Sequence, residues 1–308
     1  MKTIPHSAGL SIAAFCSVLA VILSGVLIIT SASLAAQQSD DADKKLKNRS
    51  LFWNPPNVDS PIRSASSSPP CVLGNVLEKA GARTNELVTD LQNFTAEEKI
   101  SFRASDREGS VLDSGSESFD YVVTLKHAQG HPVVEESRKP THGSSLSNTP
   151  TQDTGVPEMV LMFLPELQAD YEMKCEGAAE WEGRPTWVVY FQQRKDKPGR
   201  TFSFVVGDTV HTARLKGHAW IAADSGEVVH LEMGLMEAIP AYKLRQWYLA
   251  ISYVPVRFPT HDVEIWLPQI ADSFSDFGDH RTIVFHTFTN FILFWTDTDL
   301  KIAKPKDH

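Results

Sequence analysis

Glu227-Val228-Val229-His230-Leu231-Glu232-Met233-Gly234-Leu235 alternates apolar and polar side chains, and the four residues before it, Ala223-Asp224-Ser225-Gly226, form a turn. That turn ends on a glycine, the residue that takes a positive φ without steric penalty. Upstream, Gly217-His218-Ala219-Trp220-Ile221-Ala222 supplies the partner strand. A period of two predicts Val229, Leu231, Met233 and Leu235 on a dry face, with Val228, His230, Glu232 and Gly234 opposite. A hairpin of this kind belongs to an antiparallel sheet with one face packed.

The same pattern extends over residues 94–302, broken at Gly, Pro, Asp or Ser and then resumed. Ile100, Phe102 and Ala104 oppose Ser101 and Arg103; Phe119, Tyr121, Val123 and Leu125 repeat the alternation. Residues 131–136 are expected to pair back through Ala128-Gln129-Gly130, and residues 171–181 and 185–193 flank Glu182-Gly183-Arg184. Residues 211–222, 227–236, 244–257, 263–267 and 282–295 complete a set of about ten or eleven strands, near the limit at which an open sheet must curl.

Residues 72–91 read as a helix with the stripe Val72, Val76, Ala80, Leu87, Val88 and Leu91, weakened by Gly81 in its middle. Residues 156–167, with Met159, Leu161, Met162, Phe163 and Leu164, read as a short helix ending near Pro165. Its methionines suit an irregular core, or a lid over an opening. Residues 139–157 are a polar Ser/Thr/Pro/Gly stretch, expected as a surface loop.

The first 36 residues are read as a segment apart from the fold. Lys2 and His6 precede an apolar run, and Ser33-Leu34-Ala35-Ala36 suits cleavage after Ala35 or Ala36, as in a secretory signal peptide. The alternative is an uncleaved anchor, because about 20 apolar residues span a bilayer. Cys16 lies in this run without the context of a lipid-modified cysteine. Residues 37–70 form a polar, Ser- and Pro-rich tether, with Leu51-Phe52-Trp53 as its apolar island. Residues 71–308 are expected to form the folded domain. Two cysteines remain after export, Cys71 and Cys175, and an oxidising compartment favours a disulfide between them over two independent thiols.

The formal net charge is −9, with Lys and Arg scattered among the acids. No basic stripe offers itself to nucleic acid. Wide side chains are dense late in the chain, from Trp247 and Tyr248 through Phe288, Phe294 and Trp295. Either they fill an ordinary core or they line a sheet too wide to be filled by its own residues. The second reading makes Phe102, Tyr121, Val123, Met159, Phe163, Trp187, Trp220, Leu231, Met233, Trp247, Ile251, Trp266, Phe285 and Phe291 the candidate lining of an apolar cavity.

The Trp220-to-Val229 hairpin, with the leading helix and long strands, resembles the periplasmic LolA/LolB lipoprotein-carrier superfamily, relatives of the RseB-type sensor domains. The resemblance covers roughly residues 72–302. It implies an incomplete antiparallel barrel, covered by helices, whose hydrophobic cavity takes lipid chains; it transfers no individual functional residue.

A search for catalysis finds little. There is no HExxH and no GxSxG elbow, and His127 and His131 flank a turn. In His261-Asp262-Val263-Glu264 the acids point away from His261 along a strand. Asp276, Asp279, His280 and His286 come closest to a metal cluster, with a solvated hairpin end as the plainer account.

The expected fold is therefore α+β and mostly β: a curved antiparallel sheet forming a half-open barrel, covered by one or two helices. The expected function is a non-catalytic exported carrier or binding protein that shields a lipid, an acyl chain or a lipidated protein segment. The alternative is an envelope sensor or interaction module with a packed interior. No cofactor and no nucleic acid are expected; envelope proteins are further candidate partners, with membrane contact through the N-terminal segment. The location is periplasmic or secreted, or else anchored in the inner membrane with the domain in the periplasm.

Overall fold

The structure, a computed structural model, describes residues 53–62, 70–91, 93–128, 131–141, 155–197, 203–206 and 209–294. The expected signal segment, most of the tether and the centre of the 139–157 loop lie outside these residues. Among the described residues no helix is long and apolar enough to cross a membrane.

Ten strands form one antiparallel sheet: β1 (Asn93–Asp106), β2 (Val111–Ala128), β3 (His131–Pro140), β4 (Tyr171–Trp181), β5 (Arg184–Gln193), β8 (Leu215–Ala222), β9 (Val228–Leu235), β10 (Gln246–Phe258), β11 (Val263–Asp276) and β12 (His280–Phe294). Their order is β3-β2-β1-β12-β11-β10-β9-β8-β5-β4, while β6 (Ser203–Val206) and β7 (Thr209–Thr212) form a separate ribbon. Almost every neighbour is a hairpin neighbour in sequence. The exceptions are β5 on β8, which skips the β6–β7 ribbon, and β1 on β12, which joins the two ends of the strand series in the middle of the sheet. The edge strands β3 and β4 stay unpaired with each other, so the barrel is incomplete.

Helix α1 (Leu73–Asp90) covers one face, here called the inner face. It has no side-chain N-cap, no acid in its first turn and no base in its last, so packing holds it rather than end signals. Val76, Ala80, Gly81 and Thr84 form its buried stripe, whereas Val72 is 56% exposed at the entry. A disulfide between Cys71 and Cys175, Cα atoms 6.2 Å apart, fastens that entry to edge strand β4. The turn of the Trp220 hairpin meets the same helix. Lys79 Nζ donates to the Ala223 carbonyl at 3.4 Å and Arg83 Nε to the Ser225 carbonyl at 3.0 Å. Gly226 has φ +88° and an added Cβ would lie 2.8 Å from Lys79 Cβ, so both conformation and space select glycine there.

Two local expectations are corrected. A bulge opposes Trp220 to His230 but Ile221 to Val228, leaving Val229 as the extra residue. Val228 thereby joins Leu231 and Met233 in the inner core, and Val229 turns to the outer face. Strand β11 does not stop at residue 267 but runs to Asp276, because Pro268 sits at a second bulge where the ladder is already interrupted.

Residues 53–62, read from sequence as part of a tether, lie on the outer face. Trp53 packs edge-on against Phe274 and Tyr248, with ring centroids 5.7 and 6.3 Å away. Val58 completes that cluster and Ile62 packs on Trp220 and its neighbours. Asp59 pairs with Lys216 at 2.7 Å, and Ile62 N donates to Glu176 Oε2 at 2.8 Å. One apolar residue every four or five positions is enough to strap such a segment down.

Candidate functional site: the covered inner face

The inner face is covered twice. Beside α1, a 3-10 turn (Met159–Phe163) followed by a short helix (Pro165–Gln168) inserts between helix and sheet. Pro165 therefore begins a helix rather than ending one, as its missing N–H permits at a first helical position. Met159, Val160, Leu161, Met162, Phe163 and Leu164 are six consecutive buried apolar residues, a plug rather than an amphipathic surface helix. Gln168 Nε2 ties it down, donating to the Phe163 carbonyl at 2.8 Å and the Leu77 carbonyl at 3.1 Å. Gly81 makes the approach possible: a Cβ there would lie 3.2 Å from the Phe163 carbonyl oxygen and 3.3 Å from Pro165 Cγ. The glycine that weakens the helix on paper is its contact point with the plug.

Eight of the cavity candidates, Tyr121, Val123, Met159, Phe163, Leu231, Met233, Trp247 and Ile251, are buried in this one cluster, with Trp187, Trp266 and Phe291 packed at its margin. Three are placed elsewhere. Trp220 and Phe285 face the outer side, beneath Ile62 and Trp53. Phe102 shares the inner face but joins Ile100, Phe119 and Val284 in a separate small cluster.

The interior is filled at its centre, and the space that remains flanks α1. One cavity of about 250 Å³ lies between the first half of the helix and Trp187, Ile221 and Gly226. Another of about 80 Å³ lies along the second half of the helix, beside Thr84, Leu87 and Tyr253. Neither reaches the ~300–1,000 Å³ of an ordinary ligand pocket.

What divides Phe102 from the main cluster is a buried charged group that sequence reading missed. Glu98 follows Ala96 and precedes Ile100 on the inner-facing parity of β1, fully buried. Arg138 Nε and Nη2 donate to its two oxygens at 2.6 and 3.1 Å, and His286 Nδ1 lies 2.8 Å from Oε1. Burial pushes the Glu98 carboxyl up, but His286 and Arg138 together hold it below its ordinary value. Arg138 lies 3.3 Å from Glu136 and stacks over the Tyr121 ring at 4.9 Å. Glu136 Oε1 accepts from Gly155 N at 2.6 Å, which anchors the start of the plug segment to β3. The signal was present: alternation places Glu98 with Ile100 and Phe102, and Arg138 stands directly across from Tyr121.

Glu158, the residue before the plug, has its pKa raised to about 7 by burial and then by the charge of Glu136. A carboxyl raised in the folded state favours folding while protonated and weakens it as pH climbs from its unfolded value to the folded one. Glu158→Gln is therefore expected to leave stability unchanged near pH 4 and to raise it by up to roughly 3 kcal/mol above pH 8. Urea unfolding at the two pH values measures this, and an equal gain at both would refute it.

The acid and histidine group read as nearest to a metal site does not assemble. Asp276 binds Arg107 at 2.6 Å and the Gly278 N–H at 2.8 Å, and Asp279 pairs with His280 at 2.7 Å. His286 is spent on Glu98 inside the sheet. Among the described residues no three His, Cys, Asp or Glu side chains are grouped to hold a metal.

These features define a class, an open antiparallel half-barrel whose apolar inner face is covered by a helix and a plug. Solved structures align with three quarters of the chain at low identity. A DUF1329 family protein from Desulfovibrio piger is 12% identical with a TM-score of 0.39, covering 75% of this chain and 94% of its own. An outer membrane lipoprotein-sorting protein domain from Vibrio parahaemolyticus is 9% identical with a TM-score of 0.40, covering 75% of this chain and 96% of its own. No protein-family profile matches the chain, and no curated protein matches its sequence.

Proposed function

We propose that this protein is an exported, non-catalytic carrier of the bacterial envelope that shelters a lipid, an acyl chain or a lipidated protein segment, and that the plug stands in for the ligand when none is bound. The supporting observation is the run Met159–Leu164, six apolar residues in a row with no polar side chain among them, lying on the inner face. Burying that many side chains contributes on the order of 9–18 kcal/mol, and an acyl chain of about fourteen methylenes on the order of 11 kcal/mol. The exchange is nearly balanced, as a carrier that must load and release requires. The lipoprotein-sorting name of one structural neighbour agrees with a periplasmic setting.

The filled interior favours a second reading, an envelope interaction module that never opens. Gly81→Leu separates the two. Overpacking against Phe163 and Pro165 costs about 1–3 kcal/mol, which unseats the plug and, by raising the open fraction, tightens apparent ligand affinity about tenfold. Uptake of a fluorescent fatty acid by delipidated protein, wild type against variant, reads this out, with native mass spectrometry for co-purified lipid. No uptake by either protein would remove the carrier reading and leave the interaction module.

A further inference from the structure

The smaller cavity differs in chemistry from the rest of the inner face. Leu87, Val160, Val228 and Ile265 give it apolar walls, and Tyr253 lines it as well. That tyrosine is 5% exposed, and its hydroxyl has no hydrogen-bond partner among the described residues. A buried hydroxyl left unpartnered is destabilising, and phenylalanine would fill the same volume without the penalty. Burial raises the Tyr253 pKa, so the hydroxyl stays neutral and able to accept a hydrogen bond.

The mouth is acidic. Glu86, Asp90, Glu227 and Glu264 border it, and Arg83 is the one cation among the lining residues. Arg83 is already engaged: Nη1 donates to Glu86 Oε2 at 2.5 Å, and Nε lies 3.3 Å from Glu227 Oε1 while donating to the Ser225 carbonyl. Glu227 Oε2 is buried with no hydrogen-bond partner among the described residues. Helix α1 ends here on Asp90, with no base in its last turn, so the negative end of its dipole adds to the field. Two unsatisfied oxygens, an excess of carboxylates and apolar walls call for a cation with a short hydrocarbon stem. A volume of about 80 Å³ holds on the order of five water-sized groups.

We propose that this cavity is a binding site for a small primary alkylammonium group, whose N–H donors satisfy Tyr253 and Glu227 while its carbons pack against Leu87, Val160 and Ile265. The site adjoins the acyl space assigned above, since Val160 belongs to the plug, and it excludes carboxylates by charge and alcohols by the lack of a full positive charge.

Isothermal titration of the purified protein at pH 7 with n-butylammonium, n-butanol and butyrate tests it. Saturable one-to-one binding of butylammonium is expected, with butanol at least tenfold weaker and butyrate silent. Tyr253→Phe should weaken butylammonium about tenfold while raising the unligated unfolding midpoint by roughly 2–4 °C. This pairing of better folding with poorer binding separates a ligand-facing hydroxyl from a structural one. Glu227→Gln should likewise weaken binding about tenfold. Absence of saturable butylammonium binding to the wild type, equal affinity for butanol, or unchanged affinity in either variant would overturn the assignment.

Discussion

Arg138→Met is expected to destabilise the protein by about 3–5 kcal/mol at pH 7, the scale of leaving a buried charge without its partner. Glu98 is wholly buried and takes two hydrogen bonds from the guanidinium, while Glu136 stands 3.3 Å from the same group. Methionine keeps much of the volume over Tyr121 but leaves two carboxylates facing each other in a dry setting. The loss should depend on pH in a defined sense. In the native protein the Glu98 pKa is lowered, so its contribution is present above the unfolded carboxylate value and fades as pH falls through the folded one. Without Arg138 only His286 opposes the burial of that carboxyl, so its value rises, and the gap between variant and wild type should close below about pH 4. Adding Glu98→Gln to Arg138→Met should recover most of the loss, because the pair is worth little more than an apolar match of the same shape. Urea denaturation of the single and double variants checks both statements. A single-variant loss under 1 kcal/mol, or no recovery in the double, would show that this group is not the electrostatic unit described.

Cys71→Ser with Cys175→Ser is expected to lower stability by up to ~4.7 kcal/mol, the chain-entropy limit for a loop of about 100 residues. The bridge spans 104 positions and cross-links the chain just before the start of α1 to edge strand β4. Because α1 has no side-chain N-cap, its first turns depend on this tie, and they border the 250 Å³ cavity. The double variant should therefore show faster amide exchange over Asn75, Val76 and Lys79 than over Leu87 and Val88. Uniform exchange along the helix, or a loss near zero, would mean that packing alone seats it.

Much of this architecture was legible from residue order. The period-two runs placed β4, β5, β9, β10 and β12 within a residue or two, and the Ala128-to-His131 return appears as the β2–β3 pairing; β2 starts at Val111, well before Phe119, and the run 211–222 divides into β7 and β8. Misreadings arose where a bulge shifts the period, as at Val229, or where a proline looked like a terminator, as at Pro165 and Pro268. Apolar character alone could not assign Trp220 and Phe285 to a face, because both faces of this sheet are covered and both reward large side chains. Glu98 and Arg138 went unseen for a related reason. They are distant in the chain, and a charged residue in a strand reads as solvent-facing until its partner is known to lie beside it.

The order of residues thus determined the kind of object this is: an antiparallel β-protein with one long helix, a cysteine pair in reach and apolar residues on alternate positions. Those are local properties, set by side-chain period, turn chemistry and backbone allowance. The joining of β1 to β12, the seating of Met159–Leu164 under α1 beside Gly81, the strap across the outer face and the charged group inside the sheet came only with the fold. Each of these depends on which distant surfaces exclude water from one another, and such long-range contacts are selected by the summed packing of the whole chain rather than by any one segment.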